Sequence, residues 1–117
     1  MTETSELSAE DAKLVTLARA TRARTRASEG AAVRDANGRT YAAASVALPS
    51  LSLSALQVCV AMAVSSGARG LEAGVLLRDG DTGLPDADRA ALSDFAGPGV
   101  LVHLGSAAGS VSQTTTT

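Results

Sequence analysis

The chain of 117 residues has no tryptophan, one tyrosine and one phenylalanine. Because base-stacking platforms and most nucleoside pockets depend on aromatic faces, the sequence offers little for recognising bases by stacking. It also has a single cysteine, Cys59, and a single histidine, His103. One cysteine excludes an internal disulfide and fits a reducing cytoplasm.

Charge and length exclude further classes of protein. The net charge of −2 favours neither nucleic acid nor an anionic membrane as a partner. The first residues, MTETSELSAEDAK, are polar and acidic, so no signal peptide is expected. The length is that of one domain with a single core. Nine arginines against one lysine, with abundant alanine, are typical of a high-GC bacterial genome.

The most apolar stretch, Leu53–Gly67, reads LSALQVCVAMAVSSG and predicts the central helix of the fold. Only Gln57 and the weakly polar Cys59 interrupt its apolar surface, and Ser52 or Ser54 would cap its start. A helix without a polar face belongs in a core or between subunits. At about ten apolar residues it is too short to cross a bilayer, which needs roughly twenty.

The rest of the chain predicts the element order α-β-β-α-β-α-β, with a mixed sheet covered on both faces. Ser8 caps a first helix that runs to about residue 26. Two strands follow, joined at Asn37-Gly38 by a two-residue turn, and a loop around Pro49 leads to the central helix. The later elements are a strand over 71–78, a polar loop over 79–85, a helix over 86–95 and a strand over 100–104. We expect a domain over 8–104, a flexible terminus over 1–7 and a low-complexity, disordered tail over 105–117.

Three segments over roughly residues 10–104 resemble the small zinc-dependent cytidine deaminases. The run EGAAVRDANGRTYAAASV resembles the family's first hairpin, VGAAV-x-D-x-x-G-x-x-x-x-G-x-N-V-E. The run SALQVCVAMAVSSG resembles the helix that begins C-A-E-R and ends A-V-S-x-G. The run LPDADRAALSDF resembles P-C-x-x-C-R-x-x-L-x-E-F. The resemblance implies a three-layer α/β/α cytidine deaminase-like fold.

The same resemblance places other residues where the family has its catalytic groups. Family members use three zinc ligands and a glutamate that shuttles protons. In this chain Ser54 stands at the first ligand, Leu56 at the glutamate, and Asp86 and Arg89 at the cysteine pair. Ser54 is a poor zinc ligand and Arg89 is a permanent cation. Sliding the register by two residues places Leu56 and Val58 in the first two roles, with the same consequence.

The ribose-binding asparagine and glutamate of the family fall on Ser45 and Ala47, and an aromatic position falls on Ala27. These substitutions predict weak or absent nucleoside binding. Cys59, His103 and Asp86 together would form a makeshift zinc site, but their order and spacing match no standard metal motif. For a catalytic role, His103 would need an orienting partner that the sequence does not identify. We therefore expect no bound metal and no cofactor.

Arginines concentrate near the first helix, where Arg19, Arg22 and Arg26 would form one stripe suited to phosphate or RNA. Without interleaved aromatics, a solvated helix face is favoured over a nucleic-acid site. The favoured hypothesis is a non-catalytic, homo-oligomeric structural, binding or regulatory protein, associating through the helix over 53–66. The alternatives are a nucleoside deaminase with an atypical metal site and an RNA- or phosphate-binding accessory protein.

Overall fold

The computed structural model describes residues 7–80 and 83–117. An initial helix and four strands are followed by alternating helices and strands, and two consecutive strands end the described chain. In chain order they are α1 Ala9–Thr25, β1 Glu29–Asp35, β2 Thr40–Ala44, β3 Val46–Leu48, β4 Leu51–Leu53, α2 Ala55–Ser65, β5 Leu71–Arg78, α3 Asp86–Ala96, β6 Leu101–Gly105 and β7 Val111–Thr116.

A five-stranded sheet with the order β2-β1-β5-β6-β7 divides the molecule into three layers. Its strands pair antiparallel except for β5 and β6, which are parallel and are connected through α3. Helix α1 packs on one face against Ala32, Val75 and Leu77, whereas α2 and α3 cover the other face. The predicted three-layer α/β/α fold with a mixed sheet is confirmed.

The central helix α2 is shorter than the predicted range Leu53–Gly67 because Ser54 caps it and the chain turns at Ser66 and Gly67. One side of the helix is fully buried against the sheet, with Leu56 and Cys59 in the core. Its other side is open in the single chain, where Val64 is 51% exposed. The helix is therefore covered on one side only.

The expectation of a disordered tail over 105–117 is wrong, because residues 111–116 form strand β7. This strand pairs antiparallel with β6 after a tight turn in which the Ser106 N–H donates to the Ser110 carbonyl. Threonine is β-branched and favours strands. The low-complexity composition of the segment had instead indicated disorder. Pairing with β7 also satisfies the backbone groups of β6, which would otherwise form an open edge.

The loop predicted around Pro49 is instead a second small hairpin, formed by β3 and β4. Val46 pairs with Leu53 and Leu48 with Leu51, so only Pro49 and Ser50 remain in the turn. Leu48 and Leu51 are exposed on this hairpin. The return strand predicted after Asn37-Gly38 is thereby divided into β2 and β3.

The turn at Asn37-Gly38 has three residues rather than the predicted two. The Asp35 N–H donates to the Arg39 carbonyl, which leaves residues 36–38 as the loop, and Gly38 alone has a positive φ, of 87°. This is the pattern of a hairpin turn completed by a left-handed glycine. The buried Asp35 carboxylate organises it, because it accepts hydrogen bonds from the N–H groups of Asn37 and Arg39 and from the Tyr41 hydroxyl.

Helix α1 lies close against β1 at Gly30. A Cβ at this position would lie 2.3 Å from the Ala18 carbonyl oxygen and 2.6 Å from the Arg22 Cβ. Only glycine permits this approach of helix to strand. The glycine thus fixes the spacing between two layers.

Two sequence predictions fall partly on residues that the structure does not describe. The flexible terminus predicted over 1–7 lies outside the described residues except for Leu7, and the polar loop over 79–85 is described except for 81 and 82. Among the described residues, no helix is both long and apolar enough to cross a membrane.

Candidate functional site

The candidate site is centred on Ser54, at the start of α2. Its hydroxyl oxygen accepts a hydrogen bond from the Gln57 N–H at 3.1 Å, and the Gln57 side-chain oxygen accepts from the Ser54 N–H at 2.9 Å. These reciprocal bonds form a capping box, which satisfies two backbone donors at the helix start. Ser54 is the N-cap residue, one of the two caps that the sequence predicted.

The Ser54 hydroxyl also connects α2 to α3. It donates a short hydrogen bond, 2.6 Å, to Asp88 Oδ1 in the first turn of α3. Asp88 is only 1% exposed, and its other oxygen, Oδ2, is buried without a hydrogen-bond partner among the described residues. The two helix N-termini therefore meet at a buried hydroxyl–carboxyl pair.

A second carboxylate, Glu29 from β1, lies at the same helix end. Its Oε1 accepts from the Ala55 N–H at 3.1 Å, and its Oε2 lies 3.7 Å from Arg78 Nη1. Arg78 Nη2 donates in turn to the Gly83 carbonyl at 3.0 Å, so this cation already has two protein partners. Carboxylates are stabilised at helix N-termini, and here the protein supplies them itself.

Burial determines the protonation of Asp88. Removal from water raises the pKa of its carboxyl, and the negative charge of Glu29 raises it further. The hydrogen bond from Ser54 and the positive charge of Arg78 lower the pKa without cancelling the rise. Asp88 is consequently a weaker acid than an exposed aspartate.

The structure separates the four residues that the sequence assigned to the catalytic positions. Leu56 is fully buried in the core beneath α2, and Asp86 is exposed at the first residue of α3. Arg89 is directed to β7, where its Nη1 donates to the Thr116 carbonyl at 2.7 Å. Of the predicted set, only Ser54 belongs to the group described above.

Asp88 and Glu29 were missed by the sequence reasoning. For Asp88 a signal existed, because matching Arg89, Leu92 and Phe95 to the end of the motif C-R-x-x-L-x-E-F puts Asp88 at the second cysteine. Matching Pro85 to the proline of the motif instead gives Asp86 and Arg89, one residue further along. For Glu29 no spacing gave a signal, because its role depends on β1 lying beside the start of α2.

The predicted ribose positions lie outside this group. The Ser45 hydroxyl accepts from the Glu29 N–H at 3.1 Å and contacts the Ser28 hydroxyl at 3.2 Å, which leaves it engaged in joining β2 to β1. Ala47 is exposed on β3, and Ala27 is half-buried before β1. The surface nearest the α3 turn is an open depression of about 370 Å³, lined by Arg78, Gly83, Leu84, Pro85 and Asp86.

Cys59, His103 and Asp86 are not brought together. Cys59 is buried between α2 and the sheet, where burial raises the pKa of its thiol to about 12. His103 contacts Asp11 of α1 on the opposite face of the sheet. Within residues 7–80 and 83–117, no three His, Cys, Asp or Glu side chains are grouped so that they could hold a metal ion.

The arginine stripe on α1 is only partly exposed. Arg19 and Arg26 are exposed, and Arg26 ends the helix with a left-handed backbone, φ 57°. Arg22 is half-buried over Gly30, and its Nε has no hydrogen-bond partner among the described residues. The stripe thus has two exposed arginine side chains rather than three.

Several solved structures have a fold similar to that of this chain. Cytidine deaminase from Burkholderia pseudomallei matches with a TM-score of 0.76 at 22% identity, over 88% of this chain and 89% of that one. Cytidine deaminase from Mycobacterium leprae matches with a TM-score of 0.68 at 24% identity, over 87% and 90%. Cytidine deaminase from Mycobacterium tuberculosis matches with a TM-score of 0.66 at 25% identity, over 77% and 80%.

No curated protein matches the sequence significantly. The family model described as cytidine deaminase-like, in contrast, matches residues 7–109, which is most of the chain and includes every residue of the Ser54 group. The fold, the three sequence segments and this match agree, and the chain belongs to the cytidine deaminase-like family.

Proposed function

We propose that the protein is a member of this family without deaminase chemistry, with a structural, binding or regulatory role as a cytoplasmic homo-oligomer. The observation that carries the proposal is the 2.6 Å hydrogen bond between Ser54 and Asp88. By the sequence resemblance Ser54 stands at the first zinc-ligand position, and Asp88 stands at the second cysteine when Arg89, Leu92 and Phe95 are matched to the end of the motif. Their hydrogen bond occupies the Ser54 hydroxyl and Asp88 Oδ1, so that of this pair only Asp88 Oδ2 has no partner among the described residues.

The donor set around Ser54 does not suit zinc. Structural and catalytic zinc sites use thiolate, imidazole and carboxylate ligands. Here a hydroxyl is the hydrogen-bond donor to one carboxylate, and the other carboxylate is occupied by a backbone N–H and by Arg78. The Asp88 carboxyl also holds its proton more strongly than usual, whereas a metal ligand must be ionised.

The position of Leu56 supports the same conclusion. It stands where the family resemblance expects the proton-shuttling glutamate, and its side chain is fully buried in the apolar core. Zinc lowers the pKa of water from about 15.7 to about 7, which makes the formation of the attacking hydroxide more favourable by roughly 12 kcal/mol. The residues around Ser54 include no group that replaces this contribution.

The exposed side of α2 supports self-association. Val58, Ala61 and Val64 lie along it at helical spacing, and the helix carries no charged residue. The β3–β4 hairpin, which directly precedes α2 in the chain, also exposes Leu48 and Leu51. Soluble monomers rarely expose large contiguous apolar patches, so a second copy of this chain is the partner that we propose.

The proposal is tested with the full-length protein purified from its own host. Elemental analysis should find no stoichiometric zinc, and cytidine and deoxycytidine should not be deaminated above background. Native mass spectrometry of the same sample should show more than one chain per particle. One zinc per chain together with turnover would overturn the proposal in favour of a deaminase with an atypical metal site.

A further inference from the structure

A line of three polar side chains lies on the α1 face of the sheet, opposite the Ser54 group. Thr114 Oγ1 of β7 is 2.8 Å from His103 Nδ1 of β6, and His103 Nε2 is 2.8 Å from Asp11 Oδ2 of α1. The histidine thus has the orienting partner that the sequence did not reveal. Ninety-two residues separate it from Asp11.

The neighbours of Asp11 fix the direction of these hydrogen bonds. Arg34 Nη2 lies 2.9 Å from Asp11 Oδ1, and Arg34 Nε donates to Glu72 Oε1 at 2.8 Å. Although burial raises the pKa of Asp11, its hydrogen bonds with His103 and Arg34 and the charge of Arg34 oppose this, and the pKa is lowered overall. An ionised carboxylate only accepts, so a neutral His103 donates through Nε2 and accepts through Nδ1 from the Thr114 hydroxyl.

Exposure divides this line into a protected part and an accessible part. His103 is 4% and Asp11 is 6% exposed, whereas Thr114 is exposed on the edge strand. A hydroxyl bound to an imidazole that a carboxylate orients is the arrangement that activates serine and threonine nucleophiles. Here the base is shielded from water, whereas the threonine that carries its hydroxyl partner is exposed.

The backbone of β7 adds a donor beside the hydroxyl. Val102 pairs with Thr115 and His103 with Thr114 in the antiparallel ladder, and the Thr117 N–H donates to the Val100 carbonyl. In an antiparallel pair, successive residues alternate between hydrogen-bonding to the neighbouring strand and facing away from it. Thr117 bonds to the β6 side, so Thr114, three residues earlier, faces away and its N–H points to the open edge of the sheet. A free N–H near the nucleophile is the kind of group that stabilises an oxyanion.

We propose that Thr114 is a site of covalent acylation, with His103 as general base and Asp11 as a positioning residue, for activated esters of small carboxylic acids. His103 Nδ1 takes the hydroxyl proton while Thr114 Oγ1 forms a bond to the acyl carbon. The bond between that carbon and the leaving oxygen then breaks, and the proton passes to the leaving group or to solvent. The exposed position of Thr114 on the edge strand suits a short acyl group such as acetyl.

The test is acetylation of the full-length protein with p-nitrophenyl acetate, followed by peptide mapping of each modified residue. Thr116 lies on the same strand without a histidine partner and is an internal control that needs no variant. General-base assistance is worth about 10² or more in rate, so Thr114 should be acetylated at least about 10²-fold faster than Thr116. Equal labelling of the two threonines would overturn the proposal.

Variants distinguish activation from mere exposure. Thr114→Ser should retain labelling, and Thr114→Val, which keeps the branched shape, should abolish it at this position. Asp11→Asn should slow labelling of Thr114 at least tenfold and displace its pH profile, with Thr116 unchanged. Circular dichroism and thermal unfolding confirm that each variant is folded. If a folded Asp11→Asn protein labels Thr114 at the original rate with the original pH profile, Asp11 does not position the base and the proposal is wrong.

Discussion

The Ser54 hydroxyl donates to Asp88 Oδ1 at 2.6 Å, although the two residues are 34 positions apart and belong to different helices. Ser54 caps α2 and Asp88 lies in the first turn of α3, so the pair joins the starts of the two helices. A buried carboxyl in this position has a raised pKa. The pair therefore links the stability of the domain to pH.

The first prediction concerns the ionisation of Asp88. Because its pKa is raised on folding, Asp88 contributes stability below its ordinary pKa of 3.8, and this contribution is lost as pH rises through the folded-state value. Asp88→Asn should keep an oxygen that accepts the hydrogen bond from Ser54. It removes the free-energy cost of ionising a buried carboxyl at neutral pH. We expect the variant to be as stable as the parent or more stable by about 1 kcal/mol at pH 7, with no advantage in acid.

Urea unfolding from pH 3 to pH 8 measures this effect. The matched control is Asp86→Asn, an exposed aspartate in the same turn, which should change the free energy of unfolding by no more than about 0.5 kcal/mol. A loss of several kcal/mol at pH 7 in Asp88→Asn alone would show that the ionised form is required.

The second prediction concerns Asp35, whose pH dependence has the opposite sign. Burial would raise the pKa of its carboxyl, but hydrogen bonds from the Tyr41 hydroxyl and the N–H groups of Arg39 and Asn37 lower it. Its contribution is therefore present above the ordinary pKa and is lost as pH falls through the folded-state value. Asp35→Asn should cost about 2 kcal/mol at pH 7 and less in acid, since bonds to a charged acceptor are lost. Thermal unfolding against pH measures it, with the exposed Asp94→Asn as the control.

The third prediction concerns the spacing between α1 and β1. Gly30→Ala places a Cβ 2.3 Å from the Ala18 carbonyl oxygen, so helix and strand must separate, and we expect a loss of about 1–3 kcal/mol or more in the free energy of unfolding. Gly70→Ala is the matched control, because a Cβ there meets nothing within 4 Å. Equal stability of both variants in urea would contradict the tight contact.

The fourth prediction concerns the exposed side of α2. Light scattering of the unaltered protein at micromolar concentration should give a multiple of 11.6 kDa, and Val64→Lys should reduce it to the monomer mass. Lysine in the last turn suits the helix dipole, so the helix itself should not be weakened. Leu17→Lys on α1, where Leu17 is 37% exposed on the other face, should leave the mass unchanged. A monodisperse parent near 11.6 kDa would exclude the oligomer.

The fifth prediction is that pyrimidine nucleosides bind weakly or not at all. Ser45 is engaged with β1, Ala47 is exposed on a separate hairpin, and Ala27 has no aromatic face. Calorimetric titration with cytidine and uridine should give no heat that corresponds to micromolar affinity. Binding in that range would instead indicate a nucleoside sensor.

Local sequence determined the features that depend on a few neighbouring residues. Ser8 and Ser54 cap their helices as predicted, because a capping bond spans only three residues. The strand over 71–78 was predicted with its final bounds, because its apolar run is bounded by Gly70 and a polar loop. The arrangement of a mixed sheet with helices on both faces followed from the succession of helices and strands along the chain.

Tertiary structure alone decided the polar contacts and the fate of the last residues. Residues 111–116 become a strand because β6 offers them an open edge, which their composition could not indicate. The partners of Ser54 and His103 lie 34 and 92 residues away, and a hydrogen bond over that distance depends on how helices and strands are placed on the sheet. Periodicity predicts which face a residue occupies, but not which residue of another element meets it there.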